Sequence, residues 1–207
     1  MKRELGMLGA LVVICLVLFL SNTDFLGQSN AINTLRQIAM LGIYAIGSGY
    51  VIIAGGIDLS VGSVVGLTGV IIAKISSQAT GGGGHSLALG VIVALGAALL
   101  IGLLQGLLIT RLHLQPFIVT LAGMLLIRGV SQTVVQGGTL SLGTSSLLKL
   151  ANGGLFMVNG DPLLPWPLLI FMGVIAIGGY VLHYTVLGRY IFAIGGNREA
   201  AAYSGIN

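Results

Sequence analysis

Six apolar runs punctuate the chain, at residues 5–20, 38–57, 59–75, 86–110, 116–135 and 163–184. Crossing a bilayer as a helix takes about 20 apolar residues, and each run approaches or meets that length. Polar or glycine-rich pieces separate them. "SNTDFLGQSN" follows the first run, "SSQATGGGGH" the third, and a Gly-, Ser- and Asn-rich stretch from Gln136 to Pro162 the fifth. The pattern predicts an all-α fold: a polytopic transmembrane bundle of about six helices over residues 1–187, then a tail over 188–207. No internal repeat is evident.

Composition strengthens this reading. Of 207 residues, 56% are hydrophobic and 7% charged, whereas soluble domains carry about 25% charged residues. So little charge cannot cover a water-facing globule, so most of the surface must face lipid. The net charge of +4 comes from scattered basic residues, which argues against a nucleic-acid partner and makes them informative about orientation. With the N-terminus inside, Lys2, Arg3, Arg111, Arg189 and Arg198 fall on the cytoplasmic side, and Arg36, Lys74 and Lys149 outside with Asp24 and Asp161. The bias predicts both termini in the cytoplasm. Lys2 and Arg3 ahead of an apolar core resemble a signal peptide, but no small-residue cleavage site follows, so the first run is read as a retained helix. The single cysteine, Cys15, lies inside an apolar run and excludes a disulfide framework within the chain.

Glycine is the second anomaly, with 34 residues. Gly90, Ala94, Ala98, Gly102 and Gly106 form a row at four-residue spacing, and Gly62 and Gly66 repeat the pattern in the third run. Residues four apart neighbour one another on a helix, and small side chains let a second helix approach closely.

The sharpest local signal is "GGIDLS", residues 55–60. Each glycine costs a helix about 1 kcal/mol relative to alanine, so Gly55 and Gly56 predict a break. Backbone freed there must be satisfied inside protein or beside water. Asp58 and Ser60 suit the N-cap of a new helix. An ionisable residue between apolar helices is also a candidate for the passage itself, and the capping and pathway roles are compatible. In the fifth run Thr120, Arg128, Gln132 and Gln136 share a four-residue spacing with Met124 between them, and Ser131 lies beside the row. Arg128 is placed about 18 Å above Pro116. It either snorkels to the outer interface or, with Gln132, lines a pathway suited to hydroxyl-rich solutes.

In the tail, Gly195, Gly196 and Asn197 predict a turn, and "REAAAYSGI" a short helix closed by Gly205. Three segments, "GGIDLSVGS", "QPFIVTLAGMLLIRGVSQ" and "GRYIFAIGGNREAAAYSGIN", together resemble the permease subunit of bacterial ABC importers for monosaccharides of the ribose, xylose and arabinose type. The resemblance runs from about residue 36 to the end. It implies that the tail is similar to the EAA loop, with Asn197, Glu199, Ala200, Ala201 and Gly205 in the coupling helix that seats on an ATPase subunit. It further implies a periplasmic sugar-binding protein that delivers the solute, a second permease subunit across a twofold axis, and an inner-membrane location. Members of this family normally continue for a further hundred or so residues, with several more helices, where this chain stops at Asn207.

No G-x-x-x-x-G-K-S/T phosphate loop is present, so ATP hydrolysis is expected from the partner, and neither a cofactor nor a metal is expected here. Two rival classes compete with this reading. An ion-coupled secondary transporter or channel fits a broken helix with an acidic residue, but Asp58 is the single membrane carboxylate on offer. A membrane enzyme would draw on His85, His113 and His183, which no H-E-x-x-H, G-x-S-x-G or carboxylate pair accompanies.

Overall fold

The computed structural model describes residues 2–76, 85–136, 138, 140, 146–158 and 160–206. The glycine-rich piece at 77–84 and most of 137–145, both read from the sequence as outer loops, lie outside the described residues. Long helices account for most of the chain: α1 (Lys2–Ser21), α2 (Gln28–Ile53), α3 (Val61–Ser76), α4 (Leu87–Arg111), α5 (Pro116–Val135), α6 (Ser146–Asn152), α7 (Trp166–Tyr184), α8 (Val186–Gly196) and α9 (Arg198–Tyr203). A short 3₁₀ turn, Thr23–Leu26, joins α1 to α2. Strands β1 (Gly154–Val158) and β2 (Asp161–Pro165) pair antiparallel, Gly154 opposite Pro165 and Val158 opposite Asp161.

Among the described residues, five helices are long and apolar enough to cross a membrane: α1, α2, α4, α5 and α7. The third run, read as a span over 59–75, falls short as α3 because its first turn is held back by the polar residues before it, leaving 16 helical residues. The second run begins at Gln28 rather than residue 38. Its first turns carry Asn30, Asn33, Arg36 and Gln37, which hide a helix from a hydropathy reading; Asn30, Asn33 and Arg36 instead make hydrogen bonds to their neighbours. The sixth begins at Trp166 rather than 163 because Asp161–Pro165 belong to the hairpin, an element unforeseen in the all-α reading.

Packing sorts the helices into two groups. Helices α3, α4 and α5 lie on one another, while α2 lies on α7, α8 and strand β2. The segment 54–60 joins the groups. From Glu4 to Ser21, helix α1 is exposed, and it packs chiefly on the 3₁₀ turn. The buried apolar residues include four alanines, Ala39, Ala73, Ala94 and Ala201, with Ile32, Val119 and Ile127 and the hairpin's Pro162 and Pro165. Leucines, by contrast, are broadly exposed, as expected where lipid takes the place of water and association depends on close packing.

At the N-terminal end of α2, side chains tie the hairpin down. Gln28 Nε2 donates to the Val158 carbonyl (3.0 Å), Ser29 Oγ donates to Asp161 Oδ2, and Arg36 Nη2 donates to the Asn152 carbonyl at the end of α6 (2.7 Å). A second Arg36 nitrogen, Nη1, donates to Asn33 Oδ1 at 2.8 Å.

Candidate functional site

The break after α2 has a defined chemistry. Gly55 adopts φ 83°, the left-handed conformation that glycine takes without steric penalty. The Gly56 N–H donates to the Val51 carbonyl (2.8 Å) and the Gly55 N–H to Ile52 (3.0 Å). These are the paired bonds of a Schellman ending, so the Val51 and Ile52 carbonyls are satisfied without water. Ala54 occupies the C-cap.

The next four residues are tied to both α4 and α5. Asp58 Oδ1 accepts from the Ser60 N–H and from the Ser60 hydroxyl, both at 2.7 Å. Ser60 Oγ also lies 3.1 Å from Gln105 Oε1 of α4, so its one hydrogen is shared between two acceptors. From α5, the Thr120 hydroxyl donates to the Ile57 carbonyl (3.1 Å) while also facing its own Pro116 carbonyl (2.8 Å). Ser60 and Thr120 are the buried polar residues among those described, at 1% and 3% exposure. Gly123 completes the knot: a Cβ there would overlap the Gln105 amide. The main-chain carbonyl of Ser60 accepts from Val64 N–H (2.9 Å) and opens α3. The break is thus a helix end, an aspartate-held turn and a helix start, its freed backbone satisfied by side chains.

Arg128 and Gln132 are not part of this knot. Both are exposed on α5, as is Gln136, and Met124 is half-buried. The reason is geometric. A step of four residues advances 400°, about 40° beyond a full turn, so by Gln132 the row begun at Thr120 has rotated about 120°. The buried face of α5 instead follows Val119, Thr120, Ile127 and Ser131.

The same drift governs the small-residue row. Gly90 and Ala94 are buried against α3, where a Cβ on Gly90 would sit 3.5 Å from the Ile72 backbone. At Gly102 and Gly106, and at Gly62 and Gly66 of α3, an added Cβ meets nothing within 4 Å. Those four glycines, read as helix-packing positions, present open faces within this chain. Of the pair at the break, Gly55 is likewise open, while a Cβ on Gly56 would touch Val51 Cγ1 at 3.0 Å and Pro116 Cβ at 3.8 Å.

Below the break lies the tail. Gly188 to Gly196, expected as a connector and turn, is mostly the helix α8, started by Thr185, whose hydroxyl accepts from the Gly188 N–H (3.3 Å). The turn is reduced to Asn197, whose Oδ1 accepts from the Ala200 N–H (3.0 Å) and caps α9. Glu199, Ala200, Tyr203 and Gly205 are exposed, Tyr203 at 92%; Ala201 is buried against the chain. Gly205 takes φ 81° and ends the helix. A cavity of about 690 Å³ opens between the break and this tail, lined by Tyr50, Gly55, Gly56, His113, Ile194 and Arg198 among others.

Gln105 was not singled out in the sequence, although an amide inside the apolar α4 is itself a signal of an interhelical bond. Of the histidines, His183 Nδ1 lies 3.0 Å from the Gly179 carbonyl of its own helix, the main-chain N–H of His85 donates to the Ile75 carbonyl (3.0 Å), and His113, with φ 55°, lines the cavity. Among the described residues no three His, Cys, Asp or Glu side chains gather as a metal site would require.

Comparison with known proteins supplies the remaining frame. The chain is 38% identical over 209 residues to the ribose import permease protein of Escherichia coli K12, covering 100% of this chain and 62% of that one. The ribose import permease protein of Haemophilus influenzae is 37% identical over 203 residues (96% and 59%), and the L-arabinose ABC transporter permease protein of Azospirillum brasilense 32% over 200 (95% and 56%). The chain therefore spans about three fifths of the length of these curated relatives. No solved structure matches it significantly. Residues 30–207 match the family described as the branched-chain amino acid transport system / permease component, and the chain, a polytopic helical membrane protein, belongs to that family.

Proposed function

We propose that the chain is part of the permease subunit of an ATP-binding cassette importer that carries a monosaccharide, ribose-like in kind, across the bacterial inner membrane. It performs no catalysis. A cytoplasmic ATPase subunit hydrolyses ATP, a periplasmic binding protein delivers the sugar, and a second permease subunit completes the passage. Both termini then face the cytoplasm. Asp58 and Ser60 border the passage at the broken α2–α3 junction, and Arg128 and Gln132 offer donors farther along α5. A packing role for Gly62, Gly66, Gly102 and Gly106 belongs to helices outside this chain, since within it their faces are open.

The observation that carries the reading is the capped helix α9. Asn197 fixes its start, Ala201 anchors it to the chain, and Glu199, Ala200 and Tyr203 are turned outward. Small side chains beside one protruding aromatic suit a surface that seats in a groove of a soluble partner. The family and the sugar permeases among its relatives support the substrate class.

Ala200→Leu tests this most cleanly, because Ala200 is exposed and its replacement leaves the chain's own packing intact. The variant is expected to insert normally and lose co-purification with the ATPase subunit. Undiminished co-purification, together with sugar uptake that survives ATP depletion but collapses with an ionophore, overturns the proposal.

A further inference from the structure

The knot at the break and the tail are joined by a contact that the docking role of α9 does not itself require. Helix α8 is fixed to α7 at its start: Thr185 Oγ1 donates to the Val181 carbonyl and accepts from Gly188 N–H, and a Cβ on Gly188 would run into the Leu182 carbonyl. At its far end Gly195 rests on the last residue of α2. An added Cβ there would fall deep inside the Ile53 carbonyl oxygen, 2.8 Å from the Ile53 carbonyl carbon and 3.4 Å from Ala54 Cα. Those obstructing atoms are backbone, which cannot rotate away as a side chain can. The neighbouring Gly196 has open space where its Cβ would be.

Two residues beyond Ile53 stands Gly55, the left-handed residue at which the chain leaves one helix group for the other. The cavity of about 690 Å³ lies directly beside this contact, with Ile194, Arg198 and Ala202 on one wall and Gly55, Gly56 and Pro116 on another. So α8 and α9 meet α2 at the joint between the groups, and there is free volume for relative displacement.

We infer that Gly195 is a positioning residue for transport: through its contact with Ile53, a displacement of α9 is passed to the Gly55–Ser60 joint and from there to α3, α4 and α5. The inference rests on the importer reading. It adds that glycine at 195, and not at 196, is required for coupling though not for docking.

The test compares Gly195→Ala and Gly196→Ala in the assembled importer with its ATPase and sugar-loaded binding protein. Both variants are expected to co-purify with the ATPase as the parent does. Gly195→Ala is expected to lower sugar carried per ATP hydrolysed by at least tenfold, and Gly196→Ala to leave it within twofold. Equal effects of the two substitutions, or unchanged coupling in Gly195→Ala, overturn the inference. Loss of ATPase co-purification in the parent itself would instead strike the importer reading. Should Gly195→Ala fail to assemble, spin labels at Ser204→Cys and Gly66→Cys in a Cys15→Ser background provide the second measurement. Their separation is expected to change between nucleotide-free and nucleotide-trapped states, and an unchanged separation overturns the inference.

Discussion

Replacing Thr120 by valine removes one hydroxyl from the knot and nearly preserves its volume. In the parent that hydroxyl donates to the Ile57 carbonyl at 3.1 Å, in a stretch of backbone with no helical partner. Leaving a buried carbonyl unpaired costs about 1–3 kcal/mol. Two facts place this site at the lower end. The hydroxyl also faces the Pro116 carbonyl at 2.8 Å, so its hydrogen is divided, and polar contacts between membrane helices average about 0.6 kcal/mol in double-mutant cycles. A loss of about 1 kcal/mol follows, which for a chain of this size is about 2–4 °C in Tm. Thr133→Val is the matched control. Thr133 Oγ1 donates to Gly129 of its own helix alone, at 2.9 Å and exposed, so its removal orphans no carbonyl outside α5. Thermal unfolding in one detergent, followed by intrinsic fluorescence, compares the two. A Thr120→Val shift no larger than that of Thr133→Val refutes the assignment of Thr120 as the partner of the broken backbone.

Three other outcomes are expected. Asp58→Asn keeps the Oδ1 acceptor for both Ser60 bonds, so melting should change little while sugar uptake in vesicles falls at least tenfold; full uptake reduces Asp58 to a cap. Gly123→Ala and Gly129→Ala, both inside α5, share a helix-propensity gain of up to about 1 kcal/mol, but Gly123→Ala also displaces the Gln105 amide from Ser60, which costs about 1 kcal/mol and offsets it, whereas Gly129 has open space; Gly129→Ala should therefore melt higher than Gly123→Ala, and equal midpoints would contradict the knot. Arg36→Gln loses the bond to the Asn152 carbonyl and should speed proteolytic nicking within residues 153–165 severalfold, and an unchanged digestion rate would show that Arg36 does not hold this face.

The features legible in the sequence are those whose cause is local. A glycine pair followed by Asp58 and Ser60 announces a break because each residue's conformational preference acts on its own backbone. Rows at four-residue spacing announce a face for one or two turns, but at about 40° of drift per step they misassign its far end, which is why Thr120 is buried and Gln132 is not. The first turns of α2 escaped because hydropathy scores only apolar character, and Asn30, Asn33 and Arg36 there are held by hydrogen bonds to their neighbours. The hairpin escaped because Pro162 and Pro165 read as loop formers, yet both are fully buried, with the strand held by its partner and by α2. Gln105 and Thr120 meet residue 60 and residue 57 across 45 and 63 positions of sequence, a distance no periodicity spans.

The hairpin and α8 grip the same rod. One is tied to Gln28 and Ser29 at the head of α2 and the other rests on Ile53 at its foot, about 36 Å apart at 1.5 Å per residue. A pull at one end and a push at the other therefore load a single shaft formed by α2 and α7, so events at its two ends need no separate relay to be felt together.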